Sequence, residues 1–297
     1  MNQARAAILR AQCFFAALAY PPTRFELVAH AETTNPAIFN EDAEQAIDVL
    51  VQDGVLFFTK GRYAFQNAEQ LIAEHREREA LFPRKIRRAK QFATFLSRLG
   101  GVKAAYVCNT LALAHTNEES DIDFFIVCKN GTVWQTRFFA TLYLAIRRWR
   151  VESAKQDPVC LTFFVDETAL DLYPLAIEND VYLRHWFLSL LPLYDDGIGE
   201  SLWRQNAKLR SLVPLAIPWL SLPGFHNGVK SIRLPVFAWV EKLTRRLSEW
   251  KFVADIRSQL NKTTAVIAND HILKFHVDDR RLAYRNRYLE LCKTYEC

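Results

Sequence analysis

Apolar and polar residues recur along this chain with two periods, and the change from one to the other marks its elements. Ala4 to Ala19 reads as a helix, stopped by Pro21-Pro22, which lack backbone donors. Thr23, with Glu26 three residues on, has the form of a capping box and predicts a short helix to Ala31. Asn40 is expected to cap a third helix, Glu41 to Gln52, with Ala43, Ala46, Ile47 and Leu50 on one face. Val55 to Phe58, a turn at Thr59-Lys60-Gly61, and Arg62 to Phe65 predict a β-hairpin. Three helices and a hairpin, in that order, suggest a winged helix over residues 1–68.

A long charged helix is expected from Asn67 to Leu99, with an interruption at Pro83. Arg84, Lys85, Arg87, Arg88 and Lys90 crowd one stretch of it, while Ile86, Phe92, Phe95, Leu96 and Leu99 supply the apolar stripe. Strands follow at Val102–Cys108, Asp121–Cys128 and Val159–Val165, with a helix from Thr132 to Arg150 between the last two. This alternation predicts an α+β fold with a small mixed sheet over residues 69–170. The remainder, 171–297, reads as helical: Val236, Val240, Leu243 and Leu247 recur at helical spacing, and Arg280 to Tyr295 forms a terminal charged helix. Ser211 to Gly228, with three prolines, is expected to be an irregular connection.

Composition narrows the class. Half of the 297 residues are hydrophobic, ample for a packed core, and the net charge of +5 permits nucleotide or nucleic acid partners without demanding them. The six cysteines contain no CxxC pair and no His–Cys cluster with zinc-ligand spacing. Cys108, Cys128 and Cys160 lie in apolar strand-like runs, where thiols act as small hydrophobes, and this predicts a reducing, cytoplasmic setting. The apolar runs are short or broken by proline, so no membrane partner is expected.

Chemistry concentrates between Ala105 and Val127. Asp121 and Asp123 stand two apart at the start of an apolar strand, which places both side chains on one face at the sheet edge. Two adjacent carboxylates repel unless a cation neutralises them, and all-oxygen ligation suits Mg²⁺. Thr110, at the end of the preceding strand and the start of a short helix, offers a hydroxyl and free backbone N–H groups to phosphate.

This arrangement resembles the DNA polymerase beta-type nucleotidyltransferase superfamily. Its motif is a strand, a Gly-Ser pair at a helix start, a short spacer and Asp-x-Asp on the next strand. Asn109-Thr110 stands where the Gly-Ser pair belongs, and Ser120-Asp121-Ile122-Asp123 matches the carboxylate motif. More narrowly, the chain is similar to prokaryotic proteins with an N-terminal winged-helix-like region, sharing features at Cys160-Leu161, Asp171-Leu172-Tyr173 and Lys274-Phe275-His276. The resemblance implies a metal-dependent transfer of a nucleoside monophosphate from a nucleoside triphosphate to an acceptor, which is a protein, a nucleic acid or a small molecule. It implies two Mg²⁺ ions about 4 Å apart, metal ligation by Asp121 and Asp123, and nucleotide contacts from Asn109, Thr110 and Ser120.

Two departures bear on activity. Asn109 replaces the family glycine. The third strand, Val159–Val165, has no acid. Asp166 is the nearest candidate for the third catalytic carboxylate, followed by Asp157, while Thr162 sits mid-strand where the family's acid stands. Thr162 and Asp166 lie roughly 13 Å apart along a strand, so only one can reach the metal. The alternative reading is a degenerate nucleotide-binding or DNA-binding regulator. DNA is not favoured, because the helix that would enter the major groove carries Glu41, Asp42, Glu44 and Asp48 and no Lys or Arg. His115, Arg137, the Arg147-Arg148-Arg150 cluster, His271 and His276 read as surface or structural residues rather than ligands.

Overall fold

The computed structural model describes residues 2–34, 38–221 and 235–297. The N-terminal part contains helices α1 (Asn2–Ala17), α2 (Arg24–Ala29) and α3 (Asn40–Gln52), then the hairpin β1 (Phe57–Thr59) and β2 (Arg62–Ala64). The capping box at Thr23 forms as the residues predict: the Thr23 hydroxyl accepts from the Glu26 N–H, and Glu26 accepts from the Thr23 N–H. Asn40 is the first residue of α3 rather than its cap; Phe39 occupies the cap, and its N–H donates to Asp42. The expected long helix is two, α4 (Ala68–Glu79) and α5 (Phe82–Leu96), with Pro83 in the first turn of the second, where its missing N–H costs nothing.

A six-stranded mixed sheet organises the rest, in the order β6-β3-β4-β5-β8-β7. Its strands are β3 (Val102–Val107), β4 (Ile122–Cys128), β5 (Val159–Asp166), β6 (Leu191–Asp195), β7 (Val266–Ala268) and β8 (Ile272–Phe275). The short helix α6 (Asn109–Ala112) joins β3 to β4, and α7 (Val133–Arg147) carries the chain from β4 to its parallel neighbour β5. All other pairings in this sheet are antiparallel. Residues 171–297 are therefore not helical throughout, as they supply half of the sheet alongside α8 (Val181–Leu188), α9 (Gly199–Gln205), α10 (Ala238–Trp250), α11 (Ala254–Gln259) and α12 (Arg281–Thr294). Their strands are too short to display a period, and Pro192 is tolerated because β6 lies at the sheet edge.

The sheet is covered on both faces. Ile122, Phe124 and Ile126 pack on one side with Phe92 of α5 and Trp134 of α7, while Phe125, Val127 and Phe163 pack on the other with Trp186, Phe187 and Trp219. A third core lies in the N-terminal part and includes Tyr288 and Cys292 of α12, so the two ends of the chain share one apolar cluster. Helix α10 forms, but its apolar stripe does not face inward. Thr244 and Ser248 are buried, Leu243 and Leu247 are exposed, and Glu241 accepts from the Trp134 and Gln135 N–H groups, both at 2.8 Å. A carboxylate at the start of α7 satisfies orphan donors and its positive end, which sets the orientation of α10. The predicted connection Ser211–Gly228 lies outside the described residues from position 222 onward. Among the described residues no helix is long and apolar enough to cross a membrane.

Candidate metal and nucleotide site

Strand β4 begins at Ile122, and its first residues open onto a cleft of about 580 Å³. Asn109, Thr110, Ser120, Asp121, Asp123, Cys160 and Thr162 all line it. Asp123 sits opposite Cys160 of β5 in the parallel register. The chain reaches Asp121 through a turn in which Asn117 Oδ1 accepts from both the Ser120 N–H and hydroxyl, each at 2.7 Å. Beneath the turn, Lys85 of α5 is fully buried; its ammonium donates to the Ser120 carbonyl at 2.5 Å and pairs with Asp157 at 3.5 Å. Arg84 grips Asp157 and Glu118 on either side. The basic cluster of α5 thus anchors the loop that delivers Asp121.

Asn109 has a left-handed backbone, with φ +57°, immediately after β3. That conformation is the one glycine adopts at no cost, and asparagine is among the residues that tolerate it. Its amide N–H donates to Asp123 Oδ2 at 2.9 Å, and its carbonyl accepts from the Tyr182 hydroxyl at 3.1 Å. Asparagine therefore supports the turn and also occupies one face of the carboxylate.

Burial pushes Asp123 up to about 6; the amide of Asn109 opposes the shift, the charge of Asp121 adds to it, and the Cys160 thiol opposes it. Asp121 is also raised, by burial first, with the Lys85 charge working against the shift. These two acids are held in conditions that penalise their charge, which a cation would relieve.

The opposite wall carries both signs of charge, with Lys274, Arg280 and Arg281 beside Asp278 and Asp279. Lys274 lies in the same cleft and is pushed down to about 8 by burial and the nearby Arg281. Arg281 is buried, bonded to Asp180 and Asp279. His276 Nε2 stands 3.3 Å from the Thr162 hydroxyl, and burial, reinforced by Lys274, lowers its pKa to about 4. Of the stretches that carry the family resemblance, Cys160 and Lys274-Phe275-His276 line this cleft, whereas Asp171 to Tyr173 do not.

Asp166 is not brought to the site. It pairs in register with Cys128, six positions along β5 from Cys160, so it lies roughly 20 Å from the Asp123 end. It is fully buried and accepts from the Thr168 N–H and hydroxyl and from His271. Asp157 is spoken for by Arg84 and Lys85. Simple alternation along β5 also fails. Between the pairs Asp123–Cys160 and Phe125–Phe163, Leu161 and Thr162 oppose the single Phe124, a bulge that turns Thr162 and Phe163 together into the cleft. The third position thus holds Thr162 and His276 in place of an acid.

The remaining candidates have structural partners. His115 is buried, 2.9 Å from His75 Nδ1 and beneath Tyr20, and is not a surface histidine. Arg137 stacks over Phe275 and Arg147 over Trp149. Tyr182 has no local pattern that marks it, and the patterns that contain Lys85 and Lys274 do not point to the carboxylates; only the tertiary packing brings them there. Comparison of the chain with family models, with curated proteins and with solved structures gives no match.

Proposed function

We propose that this chain is a nucleotidyltransferase-type protein that holds a magnesium–nucleoside triphosphate in the cleft, with a transfer step slowed by an incomplete acid set. One observation carries the reading. Left-handed Asn109, just after β3, faces Asp123 at the start of β4, and Asp121 and Lys274 share the cleft. The donors at the mouth are carboxylate and hydroxyl oxygens, which fit Mg²⁺. Asp121 and Asp123 are the residues that would hold the ion, which supplies charge neutralisation to the phosphates. These carboxylates would serve one ion; of the other acids lining the cleft, Asp278 and Asp279 are paired with Arg280 and Arg281.

The chain's own groups divide the remaining work. Thr110, exposed at the cleft mouth, would bind phosphate oxygens through its hydroxyl, while Lys274, buried on the other wall with its ammonium donating to the Thr264 carbonyl, adds positive charge. Tyr182 and Tyr284 stack at 5.1 Å beside them and fix Asn109 through the Tyr182 hydroxyl. At the third position His276 is the available base. A base with a pKa of about 4 takes a hydroxyl proton poorly near neutrality. Binding with weak turnover follows from that.

The N-terminal part serves contact between segments rather than DNA. The acids of α3 are solvent-facing, and Arg24 is already paired with Asp48 and Glu44. The deciding experiment incubates the full chain with Mg²⁺ and labelled nucleoside triphosphates, alone, with RNA and with a cell extract. Magnesium-dependent binding with little transferred label is expected. Absence of magnesium-dependent binding to any nucleoside triphosphate overturns the reading, and rapid transfer overturns its slow step.

A further inference from the structure

Three of the six cysteines, at positions 13, 292 and 297, are remote in the chain and show no ligand spacing, yet their Sγ atoms all lie within 4.8 Å of one another. The backbone explains how. Cys292 is in the last turn of α12, which caps at Tyr295. Glu296 then adopts a left-handed backbone, with φ +52°. The Cys297 N–H donates to the Cys292 carbonyl at 3.0 Å and the Glu296 N–H to the Lys293 carbonyl at 3.4 Å, which together make a Schellman motif. That motif folds the chain back so that residue 297 lies over residue 292. Helix α1 packs alongside α12 and presents Cys13 to the pair from the other side, with Cys13 and Cys297 sulfurs 3.9 Å apart.

We infer that Cys13, Cys292 and Cys297 form a three-thiolate site for a zinc ion, which clasps α1 to α12. Zinc–thiolate bonds of about 2.3 Å in tetrahedral geometry require sulfurs about 3.8 Å apart, close to the 3.9 Å found between Cys13 and Cys297. A disulfide would need about 2.05 Å. Cys13 and Cys292 are buried and Cys297 is half-buried, so a fourth position faces outward. Three thiolates around Zn²⁺ leave a single negative charge, with Arg10 near Cys297 and the Glu32 carboxylate near Cys292; a monovalent ion would leave two in a largely desolvated place. Binding displaces the remaining thiol protons to solvent as the sulfurs bond to the metal. An apolar contact between Cys292 and Cys297 would satisfy the Schellman motif alone, but it would not call for a third sulfur from the far end of the chain.

The test uses the reduced, metal-stripped full chain titrated with Co²⁺, followed by Zn²⁺. One equivalent of Co²⁺ is expected to give a thiolate-to-cobalt charge-transfer band and the visible bands of a tetrahedral complex, both erased by Zn²⁺. Cys292→Ser and Cys297→Ser should each lose the bands. Cys160→Ser and Asp123→Asn, which alter the cleft, should keep them. Zn²⁺ should raise the melting temperature of the parent and leave that of Cys297→Ser unmoved; Cys297 lies beyond the helix, so the variant is expected to fold. The inference is overturned if no band appears and all three thiols stay titratable in excess Zn²⁺, if the bands survive both α12 variants, or if a Cys13–Cys297 disulfide forms in a glutathione buffer while Co²⁺ is ignored.

Discussion

The two ends of the β4–β5 pair each carry carboxylate at a strand terminus, and they treat it oppositely. At one end Asp166 is fully buried, and the Thr168 N–H, the Thr168 hydroxyl and His271 all point at it. At the other, Asp123 receives the Asn109 amide and the Cys160 thiol but sits beside a second carboxylate. Asp121 has only the field of Lys85 to offset its burial. A buried acid whose lone pairs are met is a staple; acids that share a cleft and are under-met carry a charge penalty that a cation would relieve. The same residue type thus has two roles, set by neighbours that lie far away in the chain.

The largest expected effect separates these roles directly. Asp123→Asn should weaken magnesium-dependent nucleotide binding by about a hundredfold or more, the scale set by losing a ligating charge, while the fold persists because the neutral amide suits the burial. Isothermal titration with and without Mg²⁺ reads this. An unchanged affinity would make the carboxylate pair a turn and remove the contrast. Asp166→Ala should do the reverse: a stability loss of about 3 kcal/mol from severed hydrogen bonds to a buried carboxylate, seen as a lower denaturant midpoint, with nucleotide affinity intact.

That contrast was only half legible in the sequence. The pair Asp121-x-Asp123 before Phe-Phe-Ile-Val is a local pattern, and period two alone places it on one face of a strand. Asp166 looked like a plausible third acid because its position relative to Asp123 depends on the β4–β5 register, which a single strand does not encode. The bulge opposite Asp123 changed which residues of β5 face the cleft, and a bulge has no marker in Cys-Leu-Thr-Phe. Lys274 and His276 arrive from β8, more than a hundred residues away, through strand pairings whose elements are too short for periodicity to reveal. Capping was legible at Thr23 because it is a four-residue event; at α10 the apolar stripe misled, since Glu241 at the start of α7 outweighed it.

Acid should act on a different set of groups again, the buried histidine pairs His75–His115 and His30–His185. His75 is lowered to about 4 and His115 to about 3, by burial and then by nearby arginine charges, and His30 and His185 are also lowered, by burial first. Their unfolded values lie near 6.5, so between there and the folded values the unfolded chain binds more protons. Stability is therefore full above about pH 6.5 and falls as pH drops towards 4, by at most about 1.4 kcal/mol per pH unit for each group. Denaturant midpoints across this range check the sign. His75→Gln should flatten the slope. A midpoint that rises on acidification would contradict neutral burial of these rings.

The smallest effect is expected at Asn109, and it bears most closely on how the cleft came to be half-satisfied. Asn109→Gly removes the amide that donates to Asp123 Oδ2 and the carbonyl that receives Tyr182. Each such bond contributes about 1 kcal/mol net. Against that, glycine adopts φ +57° without the steric cost a side chain carries there, a relief of about 1 kcal/mol, while its unfolded chain gains entropy. The two lost bonds and the freer unfolded chain outweigh the relief by about 1–2 kcal/mol, so the melting temperature should fall by several degrees. The carboxylate, by contrast, loses a competitor for the oxygen that would face the proposed metal, and the backbone gains room to approach phosphate. A several-fold rise in magnesium-dependent nucleotide affinity should result, alongside that modest loss of stability. Affinity that falls instead would mean that the asparagine amide orients Asp123 for its ligand. Then the residue that departs from the family pattern would be part of this site's own design.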